Sequence, residues 1–181
     1  ILLIMYEGSE LLIIHVVSSG ETVSSIAANY GVSIEDIVIY NGLREPYQLA
    51  VGQTLVILYP QTVHMVQSGE TLDSIARQYG MTTSALYRNN PDLGGQPLIL
   101  PGQRLVISFT EPKRGTISVN SYAYPYINQD LLRRTVFYLT YLTPFTYGIT
   151  AEGNLVPLDD ETLIAVARSF GTAPLMHLST L

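Results

Sequence analysis

Apolar residues along positions 13 to 109 follow two rhythms, and each rhythm occurs twice. The runs Ile13 to Val17, Thr54 to Leu58, Val63 to Val66 and Arg104 to Phe109 are rich in β-branched residues and predict strands. Between the members of each strand pair the spacing turns helical: Val23, Ile26, Ala27 and Tyr30 in one place, Leu72, Ile75, Ala76 and Tyr79 in the other. Thr22 and Thr71 precede these positions as N-caps, each offering a side-chain oxygen to a free N–H, and Gly31 and Gly80 follow as C-caps. A second short helix opens at Ser33 or Thr82 and stops at Asn41-Gly42 or Asn90-Pro91. It is expected to bury Ile34, Ile37 and Val38 in one copy and Leu86 in the other. The predicted unit is β-α-α-β, about 45 residues long, and so small a unit must pack nearly every apolar residue it has.

The two units are copies of one another. HVVSSGETVSSIAANYG (15–31) returns as HMVQSGETLDSIARQYG (64–80), with about a dozen of the first twenty-nine paired positions identical at an offset of 49. After a one-residue slip the match resumes, setting Leu49 and the run Val51 to Ile57 against Ile99 and the run Pro101 to Ile107. The xSGET(V/L)xSIAxxYG opening, the Asn ending the second helix and the closing (V/P)GQxLVI resemble the LysM carbohydrate-binding module, twice, over 13–58 and 63–108. The resemblance implies α+β modules that bind N-acetylglucosamine-containing glycans, peptidoglycan or chitin. The expected site is a shallow groove between the first strand–helix loop and the loop before the last strand. Carried onto this chain, the groove is lined by Gly20, Glu21, Thr22 and Val23 with Leu49 opposite, and in the second copy by Gly69, Glu70, Thr71 and Leu72 with Leu98 and Ile99. A neutral acetamido sugar needs backbone N–H and C=O groups and a small apolar surface for its methyl group, which these residues can supply without charge. Many family members carry Asp where this chain has Glu21 and Glu70, and LREPYQL in the first copy differs in length from NPDLGGQPLIL in the second, so the two grooves are expected to differ in affinity.

After TEPKRG (110–115), whose Pro, Gly and adjacent basic residues predict a linker, the pattern changes. TISVNSYAYP (116–125) predicts a strand, 128–138 a helix, YLTYLTPFTYGI (138–149) a strand, LDDETLIAVARSFG (158–171) a helix capped by Asp159 or Asp160, and APLMHLSTL (173–181) a nearly all-apolar strand. Strands alternating with helices signal parallel βαβ units, and this order resembles the first three strands of a (β/α)8 barrel, left incomplete. The phrases SVNSYAYPYIN, YLTYLTPFTYGIT and DDETLIAVARSFGTAPLMHLSTL resemble the start of the glycoside hydrolase family 18 domain. That domain follows paired LysM modules in spore cortex-lytic and other cell-wall N-acetylglucosaminidases of Gram-positive spore-formers. The implied organisation is an N-terminal extension (1–12), repeats at 13–59 and 60–109, the linker at 110–115 and a truncated barrel start at 116–181. A barrel takes about 250 residues, so the strands here are expected to leave an open apolar edge through which copies could self-associate. The family's DxxDxDxE signature, whose last Glu is the general acid, is absent, so the chain alone is expected to bind without cleaving. Tyr124, Phe145 and Tyr147, with Tyr122, lie near the predicted strand ends, where sugar rings could stack. The implied location is the cell wall or the spore cortex or coat. A different class of function, a spore-coat or wall-assembly scaffold that uses the modules without hydrolysis, fits the same residues.

Composition narrows the chemistry. With 47% hydrophobic and 13% charged residues the 181-residue chain can form cores, and a net charge of −6 with nine Lys and Arg argues against a nucleic-acid partner. There is no Cys, hence no disulfide or thiolate site, and no cofactor is implied. His15, His64 and His177 fall on separate predicted strands, where packing or edge roles outweigh a metal site, so no metal is expected. Asp159-Asp160-Glu161 opens a helix and is expected to act on its dipole. The apolar opening, broken by Glu7 and Glu10, predicts neither a signal peptide nor a membrane span, and Met5 is an alternative start.

Overall fold

The computed structural model describes residues 13–110 and 115–180, which fall into two compact units, 13–66 with 102–110 and 67–101 with 115–180. The N-terminal extension, most of the predicted linker and Leu181 lie outside the described residues.

In the first unit, β1 (Ile13–Val16) pairs antiparallel with β2 (Thr54–Ile57), Ile13 opposite Ile57 and Val16 opposite Thr54. Two helices intervene, α1 (Val23–Tyr30) and α2 (Ile34–Tyr40). Thr22 caps α1 through a capping box: its Oγ1 accepts from Ser25 N at 3.1 Å and Ser25 Oγ accepts from Thr22 N at 2.9 Å. Gly31 closes it with φ 66°, a left-handed conformation that favours glycine. Val17, Val23, Ile26, Ala27, Ile37, Leu55 and Ile57 form the core. Asn41 does more than end α2. Its Nδ2 donates to Ile37 O and Val56 O, each at 2.9 Å, and its Oδ1 accepts from Val56 N at 2.7 Å, which fastens the helix to β2.

One sequence expectation fails in α2. Ile34 is exposed, while Asp36 is buried. Helical spacing alone assigned Ile34 to the core, but Asp36 has a partner far along the chain: Arg104 Nη1 donates to its Oδ1 at 2.9 Å. Arg104 opens β4 (Arg104–Phe109), which pairs antiparallel with β3 (Pro60–Met65), with irregular register at Thr62. Phe109 meets Tyr40 edge to face at 5.3 Å, so the strand pair of the second repeat is joined to the second helix of the first.

The second unit contains the helices of the second repeat, α3 (Leu72–Gln78) and α4 (Thr83–Asn89), a 3-10 turn at Pro91–Leu93, and the third segment. Thr71 repeats the capping box with Ser74. The third segment runs β5 (Asn120–Ala123), α5 (Gln129–Val136), β6 (Tyr141–Pro144), β7 (Tyr147–Ile149), β8 (Leu155–Val156), α6 (Glu161–Ser169), β9 (Ala173–Pro174) and β10 (Leu178–Thr180). Strands β5, β6 and β9 form a parallel sheet in that order, with α5 and α6 as crossovers over a core of Ala123, Leu132, Val136, Leu142, Leu163, Val166 and Ala167. A second small sheet has the order β10-β7-β8. The single strands predicted over 138–149 and 173–181 are therefore each split between two sheets. In both cases a proline, Pro144 or Pro174, is the last residue before the break. Asp160 is also corrected: it begins α6 without a side-chain cap and instead accepts from the Tyr147 hydroxyl at 2.9 Å.

The helices of the second repeat are built into this unit through an aromatic seam. Tyr87 stacks on Phe137 at 5.4 Å and meets Phe170 at 5.5 Å. Ser84 Oγ donates to Phe170 O at 2.5 Å and Arg88 Nη1 to Phe137 O at 3.0 Å. Gly95 lies so close to α5 that a Cβ there would stand 2.3 Å from Arg133 O.

Candidate functional site

Two backbone hydrogen bonds bring the loops of the first candidate groove together. Val17 N donates to Gln53 O and Gly52 N to Val17 O, each at 2.8 Å, so the loop after β1 and the loop before β2 run side by side. In the second repeat Val66 N donates to Gln103 O at 2.9 Å and Gly102 N to Val66 O at 2.8 Å. Gly20, Thr22, Gly69 and Thr71 are exposed at the groove positions, whereas the side chains of Val23 and Leu72 enter the cores and leave only backbone for a ligand. Leu49 and Ile99 are half-buried, and Leu98 stands 75% exposed.

Glu21 and Glu70, both half-buried, are tied to the backbone of their own turns. Glu21 Oε2 accepts from Ser18 N at 2.7 Å and lies 2.9 Å from Nε2 of the buried His15, whose Nδ1 is 3.1 Å from the Tyr30 hydroxyl. Glu70 Oε2 accepts from Gln67 N at 2.6 Å. The Ser18 amide, and then His15, hold the Glu21 carboxyl below its ordinary value. Each glutamate closes the turn that displays its neighbouring glycine.

The third segment gathers a separate set. Tyr124 stacks on Tyr126 at 5.1 Å and meets Phe145 at 5.6 Å, Tyr122 meets Phe145 at 6.0 Å, and the His177 ring lies 4.9 Å from Phe145 and 5.6 Å from Tyr122. Tyr122, Ala123, Tyr124 and Phe145 line a hollow of about 200 Å³ at the C-terminal end of β5. His177 Nδ1 is fixed 2.7 Å from Thr146 Oγ1. Tyr147, grouped with these residues from sequence, stands apart beside Asp160, which raises its phenol together with desolvation. Tyr126 and His177 were not foreseen as members. The alternation Tyr122, Tyr124, Tyr126 was a readable signal for the first, but His177 arrives only through the break between β9 and β10.

Among the described residues no three His, Asp or Glu side chains group to hold a metal, and no helix is long and apolar enough to cross a membrane.

Residues 15–58 and 64–108 each match the model of the LysM domain. The chain carries two LysM domains. LysM domains imply glycan binding. Among solved structures, the Bacillus cereus spore cortex-lytic enzyme SleL is 27% identical with a TM-score of 0.58, over 92% of this chain and 40% of that one. The Bacillus megaterium spore cortex-lytic enzyme SleL is 26% identical with a TM-score of 0.55, over 91% and 39%. The similarity thus extends from the LysM domains into the third segment, and the chain spans about two fifths of the length of these enzymes. No curated protein matches the chain.

Proposed function

We propose that this chain is the wall-binding and leading part of a cortex-lytic N-acetylglucosaminidase. The two LysM grooves, at Gly20 to Val23 with Leu49 and at Gly69 to Leu72 with Leu98 and Ile99, hold N-acetylglucosamine-containing glycan, peptidoglycan or a chitin-type chain. Backbone groups at Gly20 and Gly69 take the acetamide, and Leu49, Leu98 and Ile99 take its methyl group. Segment 116–181 is read as the first strands of a family 18 barrel, with Tyr124 and Phe145 as a stacking surface for sugar rings at the strand ends. The observation that carries this reading is the likeness to SleL over 92% of the chain, which takes in both LysM domains and continues beyond them. In that family the general acid is the last Glu of DxxDxDxE. The 181 residues contain no such run, so the part of the reaction assigned to this chain is adhesion and sugar positioning. Two grooves on one polymer bind better together than either does alone, by raising effective concentration.

The test is retention of the full chain on insoluble peptidoglycan and on chitin, with soluble N-acetylglucosamine oligomers as competitor. Retention that the oligomers displace is expected. Retention on neither polymer would reduce both grooves to structural turns and leave a wall-assembly scaffold as the function.

A further inference from the structure

We propose that the second unit holds a further saccharide site, in the cleft where α4 meets the C-terminal ends of α5 and α6, and that this site selects a pyranose bearing a carboxylate. The proposal rests on the glycan reading above, because it assumes a wall polymer as the source of such a sugar. The cleft has a volume of about 370 Å³. That falls within the roughly 300–1,000 Å³ of sites that enclose small ligands. The hollow beside Tyr124 and the one beside Tyr147 and Asp160, about 200 Å³ each, are smaller.

Its lining divides as a sugar ring requires. The half-buried Leu139 and Phe170, backed by the buried Phe137, supply apolar surface for the C–H face of a pyranose, while Thr82, Thr83, Ser84 and Ser169 place hydroxyls around it. Three of those hydroxyls already serve the fold: Thr82 Oγ1 accepts from Ala85 N, and Ser84 and Ser169 donate to backbone carbonyls. Among the described residues the Thr83 hydroxyl has no partner, so it is free for a ligand. Arg88 decides the charge. It donates through Nη1 to Phe137 O, which fixes the guanidinium at the cleft, and among the described residues it has no carboxylate partner. The remaining N–H groups of a held, unneutralised guanidinium match a carboxylate, with two parallel donors to two oxygens. Apolar floor, hydroxyl rim and one unpaired Arg together describe an acidic sugar better than a neutral one.

Titration of the full chain with N-acetylmuramic acid and, separately, with N-acetylglucosamine, read by NMR shift perturbation, tests this. N-acetylmuramic acid is expected to shift the Thr83, Arg88 and Ser169 resonances. Arg88→Gln removes the charge while leaving a polar amide at the position, and is expected to weaken that binding about tenfold. Thr83→Val, close to isosteric, should weaken it several-fold, and unchanged circular dichroism would show both variants folded. Shifts that neither variant alters, or equal binding of the two sugars in the cleft, would overturn the proposal. Pull-down on peptidoglycan separates the failures. If wild type is retained but the cleft takes no N-acetylmuramic acid, the cleft proposal alone falls; if wild type is not retained, the glycan reading falls and takes the cleft proposal with it.

Discussion

Replacing Tyr87 by Ala tests whether the second LysM domain's helices share a core with the third segment. Tyr87 is 5% exposed and lies against both Phe137 and Phe170. An aromatic side chain of this kind removes roughly 150–250 Å² from water, worth about 4–6 kcal/mol at 25 cal/mol per Å² as an upper bound. Large-to-small aromatic substitutions in cores cost about 3–5 kcal/mol, so a value in that range is expected here. With urea m-values of about 1–3 kcal/mol/M, the unfolding midpoint of the second unit should fall by at least 1 M. The chain has no Trp, so far-UV circular dichroism is the probe of the transition, and amide hydrogen exchange locates it. Loss of protection should spread through β5, β6 and β9, and the β1–β2 pair should keep its own. If only α3 and α4 lose protection while the parallel sheet is untouched, the seam is a surface contact and the reasoning is wrong.

Other outcomes follow from single residues. Asn41→Ala leaves Val56 N and Val56 O without their side-chain partner, and should cost about 1–3 kcal/mol in chemical denaturation, with first-unit amides losing protection first. Gly95→Ala combines φ 73° with a Cβ 2.3 Å from Arg133 O, and should lower the melting temperature of the second unit and increase proteolysis near α5. Because Glu21 titrates below its ordinary 4.5 in the folded chain, its contribution is present above that value and is lost as pH falls through the lowered one. Glu21→Gln should therefore be less stable than wild type at neutral pH, with the gap closing in acid melts. Leu98→Ser, at an exposed position, should leave stability within about 0.5 kcal/mol yet reduce retention on glycan.

What was legible in the chain was local. Thr22 and Ser25, three residues apart, form a capping box that needs nothing beyond its own turn, and Gly31 takes its left-handed conformation for a similarly local reason. The parallel order β5-β6-β9 could also be read, because alternating strands and helices leave few other connections. Asp36 could not be placed by such reasoning: its partner Arg104 lies 68 residues away, and only the assembled unit makes burial of that carboxylate tolerable. Glu21 takes a groove position, and what the sequence did not show is that its carboxylate also accepts from Ser18 N and meets His15. His177 was assigned to a strand by composition, and the break after Pro174 carries it to the aromatic cluster instead.

The Asp36–Arg104 pair bears on how such a protein can be taken apart. The repeat in the sequence invites excision after Tyr59, as if each copy were a portable cassette. A cut there would strip Arg104 from a carboxylate that is 6% exposed. Arg104 is 35% exposed, so losing it costs less than the roughly 3–5 kcal/mol of a fully buried pair, but it still leaves the carboxylate without its cation. Grafting the first LysM domain onto another protein would therefore call for Asp36 to be replaced by a neutral or apolar residue in the same step.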